Sequence, residues 1–218
     1  MKKPFGTLPD GSVASLYTIS GGGLTAVISD YGATIVKLFV PDKNGICADV
    51  VLGFDDPNDY TASGTFFGAV VGRNANRVKN STFSLNGKTV QMTPNENVRN
   101  NLHSGPAFYK DRLWTVEKAT KNSLRLSLFS PHEDQGFPGN AQIHVTYTLD
   151  ADSTLRICYD AICDKDTVFN LTNHSYFNLA GHDKPEKAME KGTRVESSRV
   201  REPRRTALPC GSKSRVLW

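Results

Sequence analysis

Apolar residues along this chain fall in short runs with a period of two, separated by turns rich in glycine, asparagine and aspartate. That period is the mark of strands with one buried face, since successive side chains in a strand point to opposite sides. Runs at residues 24–28 and 33–40 are rich in β-branched and aromatic side chains, and Gly21-Gly22-Gly23 and Asp30-Tyr31-Gly32 punctuate them. Further strands are expected at 113–117, 124–129, 142–149, 155–161 and 168–173. In F-S-L-N-G-K-T-V, Phe83, Leu85 and Thr89 alternate around Asn86-Gly87, a dipeptide suited to the positive φ angles of a type I′ turn, and this predicts a hairpin. Helical signals are sparse: one turn at 57–63, and helix formers without an apolar stripe at 185–192. Many short strands at this spacing predict an all-β sandwich.

One strand-like stretch stands apart. In T-N-H-S-Y-F-N-L, residues 172–179, a period of two puts Thr172, His174, Tyr176 and Asn178 on one face, which is polar and aromatic where a buried face would be oily.

Composition narrows the classes. At 218 residues and 38% hydrophobic, the chain can bury one good core. No run of eighteen apolar residues occurs and the lysines at the start precede no apolar stretch, so a soluble, cytoplasmic protein is expected. The four cysteines, Cys47, Cys158, Cys163 and Cys210, form no C-x-x-C pair; no metal site is expected, and free buried thiols fit a reducing compartment.

The net charge of +4 is unevenly spread. Residues 183–218 hold ten of the 26 Lys and Arg and five of the 22 Asp and Glu, so the rest of the chain is close to neutral. That basic stretch interleaves Glu186, Glu190, Glu196 and Glu202 and offers only Trp218 for stacking, which argues against nucleic acid as a partner. No G-x-G-x-x-G or P-loop pattern supports nucleotide binding.

Three polar clusters lie among the turns. G-R-N-A-N-R, residues 72–77, sets Arg73 and Arg77 four apart, close enough to share a face; a solvated strand end is the plainer reading. N-N-L-H-S-G, residues 100–105, carries His103 in a turn, where a lone histidine is more often a surface residue. In P-H-E-D-Q-G-F-P-G, residues 131–139, His132, Glu133 and Asp134 read as loop charges, and Gly136 and Gly139 as turn geometry. His144 reads as a surface or hydrogen-bonded strand residue.

Taken in order, G-F-D-D-P-N-D-Y (53–60), G-R-N-A-N-R, N-x-L-H, G-F-P-G and T-N-H-S-Y-F-N-L-A-G-H resemble the aldose 1-epimerase (galactose mutarotase) family, over residues 18–182. The resemblance implies a galactose-mutarotase-like β-sandwich with a cleft for a free hexose. It implies His174 as the general acid on the ring oxygen, with Asn76, Arg77 and His103 on the sugar hydroxyls and Arg73 beside them. An aromatic ring, Tyr176 or Phe137, would cover the apolar C–H face of the sugar. Opening and reclosing a pyranose needs an acid and a base and no cofactor.

The sequence departs from the family pattern in two places. It reads H-S-G-P at 103–106 where the family commonly has H-G-G. Family members also continue well past the histidine motif to an aspartate and a basic glutamate, so the sandwich is expected to be incomplete here, with residues 1–182 as the domain, 183–218 as an irregular, disordered basic tail, and no identifiable general base. A non-catalytic sugar-binding sandwich and an inactive truncated fragment are the alternatives, and preferred sugar and oligomeric state stay open.

Overall fold

In a computed structural model, residues 1–184, 194–197 and 214–217 are described. The first sheet is an antiparallel meander of β1 (Lys2–Thr7), β2 (Val13–Gly21), β3 (Leu24–Ser29), β4 (Ile35–Pro41) and β5 (Cys47–Asp49). After it come a short helix, α1 (Pro57–Ala62), and the two-residue strands β6 (Val70–Val71) and β7 (Arg77–Val78). The helix forms where expected: Pro57 opens it and the Asp56 side chain accepts the Asn58 N–H. The hairpin β8 (Thr82–Leu85) and β9 (Lys88–Gln91) turns through Asn86 and Gly87, both at positive φ. Next is the short β10 (Asn101–Leu102).

The second sheet is the meander β11 (Thr115–Ala119), β12 (Ser123–Ser130), β13 (Ala141–Leu149) and β14 (Leu155–Cys163). β15 (Thr172–Asn173) pairs with β6, and β10 pairs with β7. The last two strands, β16 (Arg194–Ser197) and β17 (Ser214–Leu217), pair with each other. The expectation of an irregular tail therefore fails at these eight residues and otherwise lies outside the described ones, as does the run of helix formers at 185–192.

The two meanders pack face to face. Ile19, Ala26, Ile28 and Ile35 from the first sheet share one core with Leu124, Leu126, Ile143, Val145 and Leu149 from the second. In β13 burial alternates perfectly along nine residues, Ala141, Ile143, Val145, Tyr147 and Leu149 all being fully buried. Each such large side chain contributes about 1.5–3 kcal/mol by leaving water. The Tyr147 hydroxyl crosses the interface to donate to the Ala33 carbonyl at 2.6 Å.

Some strand assignments change. The sequence reading missed β1 and β2. Residues 172–179 are not one strand, because beyond Asn173 the chain bends: the Asn173 carboxamide accepts the Ser175 N–H and donates to the Gly68 carbonyl at 2.7 Å. Residues 168–171 are likewise outside any strand. The expectation of four free buried thiols also fails: Cys47 is free but exposed, Cys163 is free and half-buried, Cys158 is disulfide-bonded, and Cys210 lies outside the described residues.

Candidate active site

The short ribbons β6–β15 and β7–β10 converge on one region, and the loops they pin carry the histidines. The backbone of His174 is fixed on both sides, its N–H donating to the Ala69 carbonyl at 2.9 Å and its carbonyl accepting the Gly68 N–H at 3.2 Å. Gly68, at positive φ, lies so close to Ile35 that a Cβ there would collide with the Ile35 carbonyl, so only glycine lets this loop press onto β4. The His174 segment is thereby held against the first sheet.

His103 is placed from the other ribbon. Its N–H donates to the Asn76 carbonyl at 3.0 Å, and its Nδ1 accepts the Asn76 N–H at 3.0 Å. Partial burial, then the neighbouring His174 and Arg77, push its pKa down to about 4. A neutral ring that accepts at Nδ1 carries its proton on Nε2, so His103 offers one N–H donor to a ligand.

The rings of His103 and His174 meet edge to face, with centroids 5.3 Å apart. Phe66 touches both, at 4.8 Å and 5.7 Å, and Phe108 meets Phe66 edge-on at 5.1 Å. Tyr176, 47% exposed, lies 5.2 Å from His174 on a further side and rests against Phe67. Two imidazoles thus sit in an aromatic surround with a half-exposed tyrosine at its edge.

Arg77 stands next to His103 because it pairs with Leu102 across the β7–β10 ribbon. Its Nε donates to both carboxylate oxygens of Glu96, at 2.9 and 2.8 Å, which holds the guanidinium in place. Asn76 is exposed, and its Oδ1 accepts the Arg77 N–H, so its amide NH₂ remains to meet a ligand.

Arg73 is elsewhere. It is fully buried, and its guanidinium donates to the Ser130 hydroxyl at 2.7 Å, the Pro138 carbonyl at 2.9 Å and the Thr167 hydroxyl at 3.1 Å. Its shared face with Arg77 does not exist, because the chain between them turns through Asn76 at positive φ. Phe137 is 1% exposed and lies against Arg73 and Phe83, so it cannot cover a sugar. Asp134 is no loop charge: it takes two hydrogen bonds from Arg112 and one from Ser130. His144 lies half-buried in β13, its ring nitrogens 3.2 Å from Glu117 and 3.0 Å from Asp160, and its Nδ1 makes no hydrogen bond among the described residues.

A profile described as aldose 1-epimerase matches residues 15–218. The chain belongs to the aldose 1-epimerase family. The match runs past residue 182, through the stretch whose sequence shows no recognisable family motif. An aldose 1-epimerase from Haemophilus influenzae is 39% identical over 190 residues, covering 87% of this chain and 55% of the relative. A galactose mutarotase from Sus scrofa is 41% identical over 182 residues, covering 83% and 52%. Among solved structures, an aldose epimerase homologue from C. elegans superposes with a TM-score of 0.73 at 42% identity, over 78% of this chain and 52% of that one. A galactose 1-epimerase from Lactobacillus acidophilus superposes at 0.69 with 28% identity, over 82% and 53%. The chain spans about half the length of the curated relatives it matches.

Around the paired histidines stand four residues that sequence reasoning missed. Phe66 and Phe108 wall the histidines, Glu96 fixes Arg77, and Lys110, 8% exposed, lies behind both phenylalanines. F-F at 66–67 reads as core on hydrophobicity alone, and Glu96 sits in a turn with no period to flag it.

Ser104 accounts for the departure from H-G-G. Its hydroxyl donates to the Asn74 carbonyl and accepts the Asn74 N–H, both at 2.9 Å, tying the His103 loop to the 72–77 loop.

Proposed function

We propose that this chain carries the acid half of an aldose 1-epimerase site, which interconverts the α and β anomers of a free hexose such as galactose or glucose. His174 gives its proton to the ring oxygen as the bond from that oxygen to the anomeric carbon breaks. A base takes the proton of the anomeric hydroxyl, and its electrons form the aldehyde. Rotation about the bond between the carbonyl carbon and its neighbour, followed by reclosure, delivers the other anomer. The Nε2–H of His103, the Asn76 amide and the Arg77 guanidinium orient hydroxyls, and the half-exposed ring of Tyr176 covers a C–H face.

The observation that carries this reading is the pairing of the two imidazoles. The lowered pKa of His103 leaves it a neutral hydrogen-bond donor beside His174, and the acid role of His174 is what the resemblance of its T-N-H-S-Y-F-N motif implies. Among the described residues, the carboxylate of Glu96 acts on His103, and it is already held by Arg77 and not free to act as the base. The base is therefore unassigned, and sugar binding without turnover is the second reading. We further propose a cytoplasmic protein that acts without nucleic acid or membrane. Among the described residues no helix is long and apolar enough to cross a membrane, and the free thiols of Cys47 and Cys163 support a reducing compartment. The disulfide at Cys158 weighs against that compartment.

Polarimetry with freshly dissolved α-D-galactose or α-D-glucose tests the proposal. The expected result is faster decay of rotation than in buffer, lowered about 10²–10⁴-fold in His174→Asn. Decay at the buffer rate from folded chain that still binds sugar would leave the second reading. Full activity in His174→Asn would sink the assignment of the acid.

A further inference from the structure

Lys110 is 8% exposed, in a 3₁₀ turn over Tyr109–Asp111. Its Nζ lies 2.6 Å from Asp111 Oδ1, 5.4 Å from the centre of the Phe66 ring and 5.9 Å from that of Phe108. Burying an ammonium costs several kcal/mol even with a partner, and a methionine would fill the same space without that cost. The ion pair does little to offset it structurally, because it joins adjacent residues and so ties no distant segments together. The ring contacts do join distant segments: cation–π attraction holds Phe66, from the loop before β6, against the 108–110 turn.

That turn is itself rigid. The Trp114 indole donates to the Tyr109 carbonyl, and Tyr109 and Trp114 both belong to the main core. On the site side, Phe66 is the ring that touches both His103 and His174. A line of contact thus runs from the core turn through Lys110 and Phe66 to the two imidazoles.

We propose that Lys110 is a positioning residue, whose buried ammonium fixes the Phe66 ring and through it the mutual placement of His103 and His174. This rests on the reading of the histidines as the catalytic centre, but its structural content does not. Lys110 touches no reacting atom; loss of its charge leaves Phe66 free to tilt, and a misplacement of about 1 Å at reacting groups can cost about 10²-fold in rate.

The test uses the full chain as Lys110→Met, Lys110→Arg and Phe66→Leu, with three readouts. These are melting, mutarotation by polarimetry, and the Hε1 and Hδ2 resonances of both histidines, which sense the ring current of Phe66. The expected result for Lys110→Met is an unchanged melt, imidazole resonances displaced for both histidines, and kcat down about tenfold or more with KM little changed. Lys110→Arg should restore both resonances and rate, since a guanidinium also binds ring faces. In the Phe66→Leu background, Lys110→Met should have no further effect on either.

Imidazole resonances in Lys110→Met that match wild type would overturn the inference, as would equal effects of the substitution with and without Phe66. Should Lys110→Met fail to fold, the comparison of wild type with Lys110→Arg and Phe66→Leu carries the decision: an arginine variant indistinguishable from Phe66→Leu would refute it. A wild-type chain without mutarotase activity, but with resonances displaced in Lys110→Met, would sink the functional reading and leave the positioning role standing.

Discussion

Ser104 offers a prediction that can be worked through from geometry. It is fully buried at φ +60°, a backbone conformation that costs a non-glycine residue about 1–2 kcal/mol. Its hydroxyl both accepts from and donates to the backbone of Asn74, and no other bond holds the His103 loop to Asn74. Ser104→Ala keeps the strained backbone and strips both partners, leaving a backbone N–H and a carbonyl unsatisfied at about 1–3 kcal/mol each. Asn74 is half-buried, so the sum falls toward the lower end, about 2–4 kcal/mol. Ser104→Gly loses the same two bonds but relieves the strain, less about 0.4–1 kcal/mol for the greater freedom of the unfolded chain. Glycine should therefore cost less than alanine by about 0.5–1 kcal/mol, opposite to the usual order within helices and strands. In urea, with a slope of about 2 kcal/mol/M, the alanine variant should lose about 1–2 M from its midpoint and the glycine variant visibly less. An alanine midpoint within about 0.2 M of wild type, at the same assumed slope, would show that the two hydrogen bonds contribute nothing net. A glycine midpoint below that of alanine would show that the φ angle carries no strain.

Two further outcomes follow from the buried and titrating groups. Arg73→Met should destabilise the chain by about 3–5 kcal/mol in the same urea assay, because it abandons the Ser130, Pro138 and Thr167 acceptors at once; a loss below about 1 kcal/mol would show that these loops do not depend on the guanidinium. For His103 the folded pKa of about 4 lies below the unfolded value near 6.5, so the unfolded state takes up the proton first as pH falls. Stability should be full above about pH 6.5 and decline toward pH 4, by about 1 kcal/mol once solvent screening of a half-buried ring is allowed for. That decline should flatten in His103→Gln, and an NMR titration placing His103 above about pH 6 would refute the reasoning.

Much of this protein could be read from its residues in order. The inward faces of β3, β4, β12 and β13 announce themselves because a half-buried strand must alternate, and the Asn86-Gly87 hairpin because its turn needs two positive φ angles that these residues supply cheaply. β1 was illegible: Lys2, Lys3, Pro4 and Gly6 make an edge strand, where solvent on one side removes the pressure for a pattern. His174, His103, Asn76 and Arg77 were each weak signals alone and informative only as an ordered set. What the sequence could not decide is which neighbours in the chain part company in space. Arg73 and Arg77 are four residues apart, yet one is buried under Phe137 and the other is open to solvent, because a single positive φ at Asn76 redirects the chain. Phe66 and Lys110 are 44 residues apart and meet behind the same imidazoles, a contact with no local periodicity to betray it. Local pattern reports which face of an element is buried; which distant side chains share that burial is set by packing, and only the folded chain specifies it.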